Sequence, residues 1–325
     1  MTDTRSASPV RKRPREFAIE VTNLSKRYGS VQAVDDLTFT VRAGQVTGFL
    51  GPNGSGKSTT MRMIVGLDAP TSGTVKVAGQ NYQGIRFPLR TVGALLDANA
   101  GHPGRSARNH LAWLADSNRI DRARVSEVLA IVGLSDVGSR RVGTFSLGMK
   151  QRLGIAATLL GNPDVLIFDE PINGLDPEGI VRVRKLLRSL AEEGRTVLVS
   201  SHLMSEMAMT ADHLIVIGRG RLLATGSVAD FIDRSSTHHI RALSPDAPRL
   251  AELLREHGAT VTSVGGEELS IKDMSCREVG VLAASAAVTL YELSPQSSLE
   301  EAFMEVTHEQ GDFNSTAHDL ELATA

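Results

Sequence analysis

Short and almost wholly apolar runs recur along the first two thirds of the chain, and several of them end in acidic or polar residues. A strand that is buried on both faces shows such a continuous apolar run, as in a parallel sheet covered by helices. Between the last two runs, leucines and valines recur at helical spacing from Val183 to Leu190, and Gly194 follows as a helix end. The pattern therefore predicts an α/β domain, with buried strands at 46–50, 91–97, 164–168 and 196–201.

Other segments predict smaller elements around that sheet. Apolar and polar positions alternate over 17–42, which predicts two strands before the first buried run. The region of about 104–160 has helical periodicity and is predicted to be a helical insertion, in which Ser146 caps a helix that ends near Leu160. Shorter runs predict three further strands, at 74–77, 214–217 and 222–224.

From about residue 238 the order changes to β-α-β-β-α-β, which predicts a small ferredoxin-like α+β domain. The expected elements are strand 238–243, helix 247–257, strands 260–264 and 268–272, helix 276–287 and strand 288–293, followed by a helical run at 299–306. The chain is thus divided into a domain at 17–230 and a second at 238–307. Residues 1–16 are basic and residues 308–325 are acidic, and both are predicted to be disordered tails.

The composition narrows the class of protein. Of the 325 residues, 41% are hydrophobic and 22% are charged, as in soluble globular chains. The net charge of −2 gives no field that would attract nucleic acid, so no nucleic-acid partner is expected. The single cysteine, Cys276, excludes internal disulfides and favours a reducing compartment. No apolar run approaches the roughly 20 residues needed to cross a bilayer, and no apolar signal core is expected at the N-terminus.

A phosphate-binding motif lies between the first buried run and a predicted helix that begins at Thr59. Gly51–Ser58 fits the pattern Gly-x-x-x-x-Gly-Lys-Ser, whose backbone N–H groups surround phosphates at a helix N-terminus. Lys57 is expected to contact the β- and γ-phosphates, and the Ser58 hydroxyl to bind Mg²⁺. A chance glycine-rich turn is disfavoured because strand, loop, Lys-Ser and helix occur together. The residues expected to bind the nucleoside triphosphate are Gly51, Pro52, Asn53, Gly54, Ser55, Gly56, Lys57, Ser58 and Thr59.

Polar side chains at two further strand ends are expected to reach the same place. Asp169 and Glu170 end one apolar run and His202 ends another, and the carboxyl ends of parallel strands meet at one sheet edge. Beside a phosphate loop, paired acids suit a metal ligand and a general base. The alternatives are a solvated turn for the acids and an ordinary hydrogen-bonded role for the histidine. Tyr28 precedes the loop, and either stacks on a base or packs internally.

Together these residues resemble the nucleotide-binding subunit of an ATP-binding cassette (ABC) transporter, over about 17–226. The resemblance implies a P-loop ATPase fold, with a mainly parallel sheet, an antiparallel β subdomain and the helical insertion. It implies that Tyr28 stacks on adenine, that Asp169 binds Mg²⁺, that Glu170 is the catalytic base and that His202 senses the γ-phosphate. The segment Ser146–Met149 corresponds to the family signature, and the loop Asn173–Asp176 links the two nucleotide sites.

Two features depart from the usual family pattern. The signature commonly reads Leu-Ser-Gly-Gly-Gln, whereas here it is Phe-Ser-Leu-Gly-Met, with Ser146 and Gly148 retained. Asp97 stands where the family usually has a glutamine; its carboxylate can still bind Mg²⁺ but cannot donate a hydrogen bond when ionised. Through these changes and the segment Ser298–Phe303, the sequence resembles the branch of the family that serves bacterial drug, antibiotic and lantibiotic efflux.

The resemblance also implies partners. Two copies are expected to form a homodimer in which Ser146 and Gly148 of one chain complete the nucleotide site of the other, with Asp176 in the linking loop. ATP and Mg²⁺ are the expected cofactors, and a separate permease is expected to hold the chain at the cytoplasmic face of the membrane, through Asp97 and the helical insertion. The remaining alternatives are an importer subunit, a cassette ATPase that acts on DNA or ribosomes, and a binding module without ATPase activity.

Overall fold

The computed structural model describes residues 16–234, residues 239–296, and Leu299 and Phe303. Most of the two predicted tails and of the helical run at 299–306 therefore lies outside the described residues. The chain forms two compact units that divide between Thr225 and Gly226.

The elements up to β9 follow the predicted order. The strands are β1 (Phe17–Tyr28), β2 (Val31–Arg42), β3 (Val46–Leu50), β4 (Ser72–Val77), β5 (Val92–Leu95), β6 (Val165–Phe168), β7 (Thr196–Ser201), β8 (His213–Gly218) and β9 (Arg221–Ser227). The helices among them are α1 (Lys57–Ile64), α2 (Ala107–Ser117), α3 (Ala123–Ile131), α4 (Leu147–Leu159), α5 (Pro177–Glu192) and α6 (Met204–Thr210).

A six-stranded sheet in the order β5-β6-β7-β3-β8-β9 is the centre of the first unit. Strands β5, β6, β7, β3 and β8 pair in parallel. Every residue of β3, β6 and β7 is buried, because helices and a second sheet cover both faces. The turn between β8 and β9 has positive φ at both Arg219 and Gly220, as the tight turn of a hairpin requires.

The antiparallel β subdomain is a three-stranded sheet in the order β2-β1-β4. Its alternating apolar residues face the six-stranded sheet and α1, and they form one core that includes Ile19, Val21 and Met61. The rings of Phe39 and Phe49 meet in this core with their centres 5.5 Å apart. The predicted helical insertion comprises α2, α3 and α4, and Ser146 caps α4 by accepting the N–H of Met149. The predicted α/β class and mainly parallel sheet are confirmed.

The second unit has the predicted ferredoxin-like order. Its elements are α7 (Val228–Arg234), β10 (His239–Leu243), α8 (Ala247–Glu256), β11 (Thr260–Gly265), β12 (Glu268–Lys272), α9 (Cys276–Ser285) and β13 (Glu292–Gln296). The strands form an antiparallel sheet in the order β11-β12-β10-β13. The last strand begins at Glu292 rather than at the predicted residue 288, because the Val288 N–H closes α9 onto Ala283 O.

Candidate nucleotide site

Parallel pairing brings the three chemically distinctive segments to one edge of the six-stranded sheet. The phosphate loop follows β3, the acid pair follows β6 and His202 follows β7, so all three extend from carboxyl ends of neighbouring strands. A cleft of about 400 Å³ opens there. Its walls are formed by Ala33, Asn53, Gly54, Gly56, Lys57, Ser58, Thr59, Leu96, Asp169 and Glu170.

The shape of the phosphate loop depends on glycine at two positions. A Cβ at Gly51 would lie 2.4 Å from the carbonyl oxygen of Ile217, and a Cβ at Gly56 would lie 2.6 Å from that of Ala33. Gly56 also has a φ of +101°, which side chains rarely allow. The loop can therefore wrap closely and present its N–H groups at the start of α1, where an anion is favoured.

Lys57 lies inside this loop and is only 7% exposed. Its Nζ donates hydrogen bonds to the carbonyl oxygens of Gly51, at 2.6 Å, and Pro52, at 3.0 Å. Burial lowers the pKa of the Lys57 ammonium group, an effect that the carboxylates of Glu170 and Asp169 oppose. The positive charge is thus held at the wall of the cleft, within reach of phosphate oxygens.

Asp169 and Glu170 contact side chains of β7 and of His202, the residue that follows it. Ser200, fully buried in β7, donates a hydrogen bond to Oδ1 of Asp169 at 2.5 Å. Oε2 of Glu170 lies 2.9 Å from Nδ1 of His202. Ser200 belongs to none of the predicted motifs, and neither does Gln151, whose Nε2 donates a hydrogen bond to the carbonyl oxygen of Glu170 at 3.0 Å. The available signal was a polar residue within a run that is otherwise buried and apolar.

The side chains at the cleft suit Mg²⁺ rather than a metal held by protein alone. The Ser58 hydroxyl and the Asp169 carboxylate are hard oxygen donors on the same cleft wall. Within the described ranges there is no group of three or more His, Cys, Asp or Glu residues that could enclose an ion. Mg²⁺ commonly binds through one or two protein oxygens together with substrate phosphates. The donor set therefore fits a magnesium–nucleotide complex.

Asp97 lies two residues beyond β5 and is exposed, with Oδ1 accepting the N–H of Asn99 at 2.8 Å. It lines a neighbouring cleft of about 610 Å³, whose wall also includes Ser58 and Asp169. The residue before it, Leu96, lines both this cleft and the nucleotide cleft, whereas Asp97 does not line the nucleotide cleft. The role of Asp97 at a metal therefore stays a prediction.

Tyr28 lies at the end of β1 and is 48% exposed. Its hydroxyl donates a hydrogen bond to Oδ2 of Asp68 at 2.9 Å, and the Lys26 ammonium group lies 4.8 Å from the ring centre. Partial burial and the Asp68 carboxylate raise the pKa of the Tyr28 hydroxyl. The ring does not line the cleft, but it is fixed near Thr59, which does.

The predicted signature and linking loop lie outside this cleft. Ser146 is exposed at the start of α4, and a Cβ on Gly148 would lie 3.1 Å from the carbonyl oxygen of Gly174. Asp176 is also exposed, and it caps α5 by accepting the N–H of Gly179 at 3.2 Å. The two segments therefore adjoin each other, and neither lines the nucleotide cleft of its own chain.

Comparison with known proteins gives concordant matches. A family model described as ABC transporter matches residues 34–173, and one described as a domain of unknown function matches 238–300. The bacitracin transport ATP-binding protein BcrA of Bacillus licheniformis is 40% identical over 242 residues, covering 74% of this chain and 79% of that protein. The lantibiotic transport ATP-binding protein SrtF of Streptococcus pyogenes is 36% identical over 205 residues, covering 63% of this chain and 89% of that protein.

Solved structures agree with these matches. An ATP-binding subunit of an ABC transporter aligns with a TM-score of 0.62 at 27% identity, covering 67% of this chain and 92% of that one. In the part of the chain that the structure describes, no helix combines the length and the apolar character needed to cross a membrane. The family resemblance predicted from the motifs is confirmed: this chain belongs to the ATP-binding subunits of ABC transporters and is an ATPase of that family.

Proposed function

We propose that the chain hydrolyses ATP to power a separate membrane permease that exports an antibiotic or peptide. The observation that carries this proposal is the similarity to two relatives named for bacitracin and lantibiotic transport. The retained nucleotide cleft supports it, because Lys57, Asp169 and Glu170 all line one wall. Through the permease, the chain would work at the cytoplasmic face of the membrane.

Different residues of the cleft bind the phosphates, bind Mg²⁺ and activate the attacking water. Lys57 and the N–H groups of the loop hold the β- and γ-phosphates, and Ser58 and Asp169 would hold Mg²⁺. When bound, Mg²⁺ supplies positive charge that stabilises the phosphate oxygens. Glu170 accepts a proton from the attacking water and orients it. His202, in contact with Glu170, senses the γ-phosphate.

The active form is proposed to be a homodimer in which the two cassettes face each other head to tail. Ser146 and Gly148 lie at the start of α4, where Ser146 is exposed, and neither lines the nucleotide cleft of its own chain. A second copy would bring that N-terminus to the γ-phosphate, where a helix start stabilises negative charge. Asp176 lies beside the same surface and would join the two sites.

The permease is proposed to dock in the neighbouring cleft of about 610 Å³, between β5 and the helices of the insertion. The cleft presents Trp113, which is 52% exposed, together with the exposed carboxylate of Asp97. An exposed aromatic in a groove is a typical anchor for a partner helix. Because Asp169 and Ser58 also line this cleft, docking there would lie directly against the nucleotide site.

Loss and restoration of antibiotic resistance tests the exporter function. Deleting the gene from its host is expected to increase sensitivity to bacitracin or a lantibiotic, and the intact chain should restore resistance. Glu170→Gln, which keeps the surface but removes the base, should not restore it. Unchanged sensitivity to such compounds, with a defect in nutrient uptake instead, would favour the importer alternative.

Tyr28→Ala is expected to weaken ATP binding by about 5- to 150-fold, since base–aromatic stacking contributes roughly 1–3 kcal/mol. Titration of a fluorescent ATP analogue measures the change. Inorganic tripolyphosphate has no base, and its affinity should not change. The matched control is Tyr291→Ala, which removes a tyrosine that is 65% exposed in the second unit. Equal ATP affinity in Tyr28→Ala and the parent chain would make Tyr28 a packing residue.

A further inference from the structure

The backbone of Glu170 adopts a conformation that residues with a side chain rarely take. Its φ is +50°, in the left-handed region where Cβ crowds the backbone. The residue lies between β6 and the loop that leads to α5, where only glycine would adopt this conformation without strain. Contacts from the surrounding structure must therefore hold it.

Two buried side chains hold the backbone of Glu170 from opposite ends. Ser200, in β7, accepts the N–H of Glu170 at 2.9 Å and donates its own proton to Asp169. Gln151, in α4, donates from Nε2 to the carbonyl oxygen of Glu170 at 3.0 Å. Ser200 is fully buried and Gln151 is 4% exposed, so water is a poor substitute for either side chain.

We infer that Ser200 and Gln151 are positioning residues that aim the Glu170 carboxylate at the attacking water. Neither residue lines the nucleotide cleft, so neither is expected to contact ATP. With both ends of the Glu170 backbone fixed, the place of its carboxylate depends only on the side-chain torsions, which the contact with His202 restrains. The inference rests on the proposed role of Glu170 as the general base.

A second consequence concerns Asp169. The Ser200 hydroxyl binds the side chain of Asp169 and the backbone of Glu170 at once, so one oxygen atom sets the relative orientation of both acids. Serine can do this because a hydroxyl donates one hydrogen bond while it accepts another. Alanine at position 200 would lose both contacts together.

Steady-state ATP hydrolysis by the full chain tests the inference. Gln151→Met keeps the length of the side chain but removes the donor, and Ser200→Ala removes the shared hydroxyl. Each is expected to lower kcat about 10- to 100-fold, because a small misplacement of a catalytic group has effects of this size. The dissociation constant for ATP should change less than about threefold, since binding contacts remain. Ser200→Thr, which keeps a hydroxyl, should retain most of the rate.

Thr158→Val is the matched control for a purely structural effect. Thr158 is a buried residue of α4 whose hydroxyl donates to the Ile155 carbonyl at 2.7 Å. Its loss should lower the melting temperature without lowering kcat. If Gln151→Met does not fold, the kcat of Ser200→Ala alone tests the inference, because that substitution removes only a single oxygen atom.

The outcomes separate this inference from the assignment of the base. A Glu170→Gln chain that hydrolyses ATP normally overturns both. An inactive Glu170→Gln chain, together with Ser200→Ala and Gln151→Met chains within twofold of the parent kcat, overturns the positioning role alone. The positioning role is also overturned if the loss of rate in Ser200→Ala and Gln151→Met only matches their loss of folded protein. The same holds if Thr158→Val loses rate to the same extent.

Discussion

Glu170→Gln is expected to lower kcat for ATP hydrolysis by about 100- to 10,000-fold, the range that a general base contributes. Glutamine has nearly the same shape as glutamate but cannot accept a proton from water. The contact of residue 170 with His202 and the backbone bonds to Ser200 and Gln151 can remain, so the fold should be retained. Steady-state release of phosphate measures the effect.

ATP binding should survive in Glu170→Gln, because the phosphate loop is untouched and one negative charge is removed from the cleft wall. With hydrolysis blocked, ATP and Mg²⁺ are expected to trap the proposed homodimer, which light scattering during gel filtration would detect. Glu127→Gln is the matched control, since Glu127 is an exposed residue of α3 paired with Arg124. Turnover near the parent rate in Glu170→Gln would show that Glu170 is not the base.

Lys57→Ala is expected to raise the dissociation constant for ATP by at least about 30-fold, because truncating one partner of a buried charge contact costs roughly 2–5 kcal/mol. Lys57 is only 7% exposed, so the interaction of its ammonium group with phosphate is little screened by water. Isothermal titration or a fluorescent ATP analogue measures the affinity. Lys76→Ala, at an exposed position of β4, is the control for loss of one positive charge.

The same substitution should not unfold the protein. Burial lowers the pKa of Lys57, so the charged group is disfavoured by burial while its Nζ gains hydrogen bonds to the carbonyl oxygens of Gly51 and Pro52. Because these effects oppose each other, the melting temperature of Lys57→Ala without nucleotide is expected to stay close to that of the parent chain, whereas the increase that ATP produces should disappear. An ATP-induced increase of normal size would contradict the role of Lys57.

The elements that could be predicted are those whose signal is local. Strands β3, β6 and β7 are short runs buried on both faces, and such runs can be recognised without their neighbours. Helix α6 has no such signal, because it is only seven residues long and has no side-chain cap. It is held by α5, through the ion pair of Arg184 with Glu206 at 2.7 Å and a hydrogen bond from Arg188 to the Met209 carbonyl.

The residues of the candidate site also differ in whether a local sequence signal identifies them. Lys57, Asp169, Glu170 and His202 could be identified because each belongs to a motif or to a strand end. Ser200 shows in the sequence only as a polar residue within an apolar run, because its partners Asp169 and Glu170 follow another strand, about 30 positions away in the chain. Its significance depends on the pairing of β6 with β7, which no local pattern specifies.

The motifs alone were enough to identify a phosphate loop, an acid pair and a histidine at strand ends, in the order of an ABC ATPase. The tertiary structure decided which side chains share a cleft. After β5, Leu96 lines both clefts and Asp97 lines only the neighbouring one, because consecutive side chains of an extended segment point in different directions. It also showed that Ser146 is exposed and does not line the nucleotide cleft, because packing of α4 against α2, α3 and β5 fixes where that helix begins.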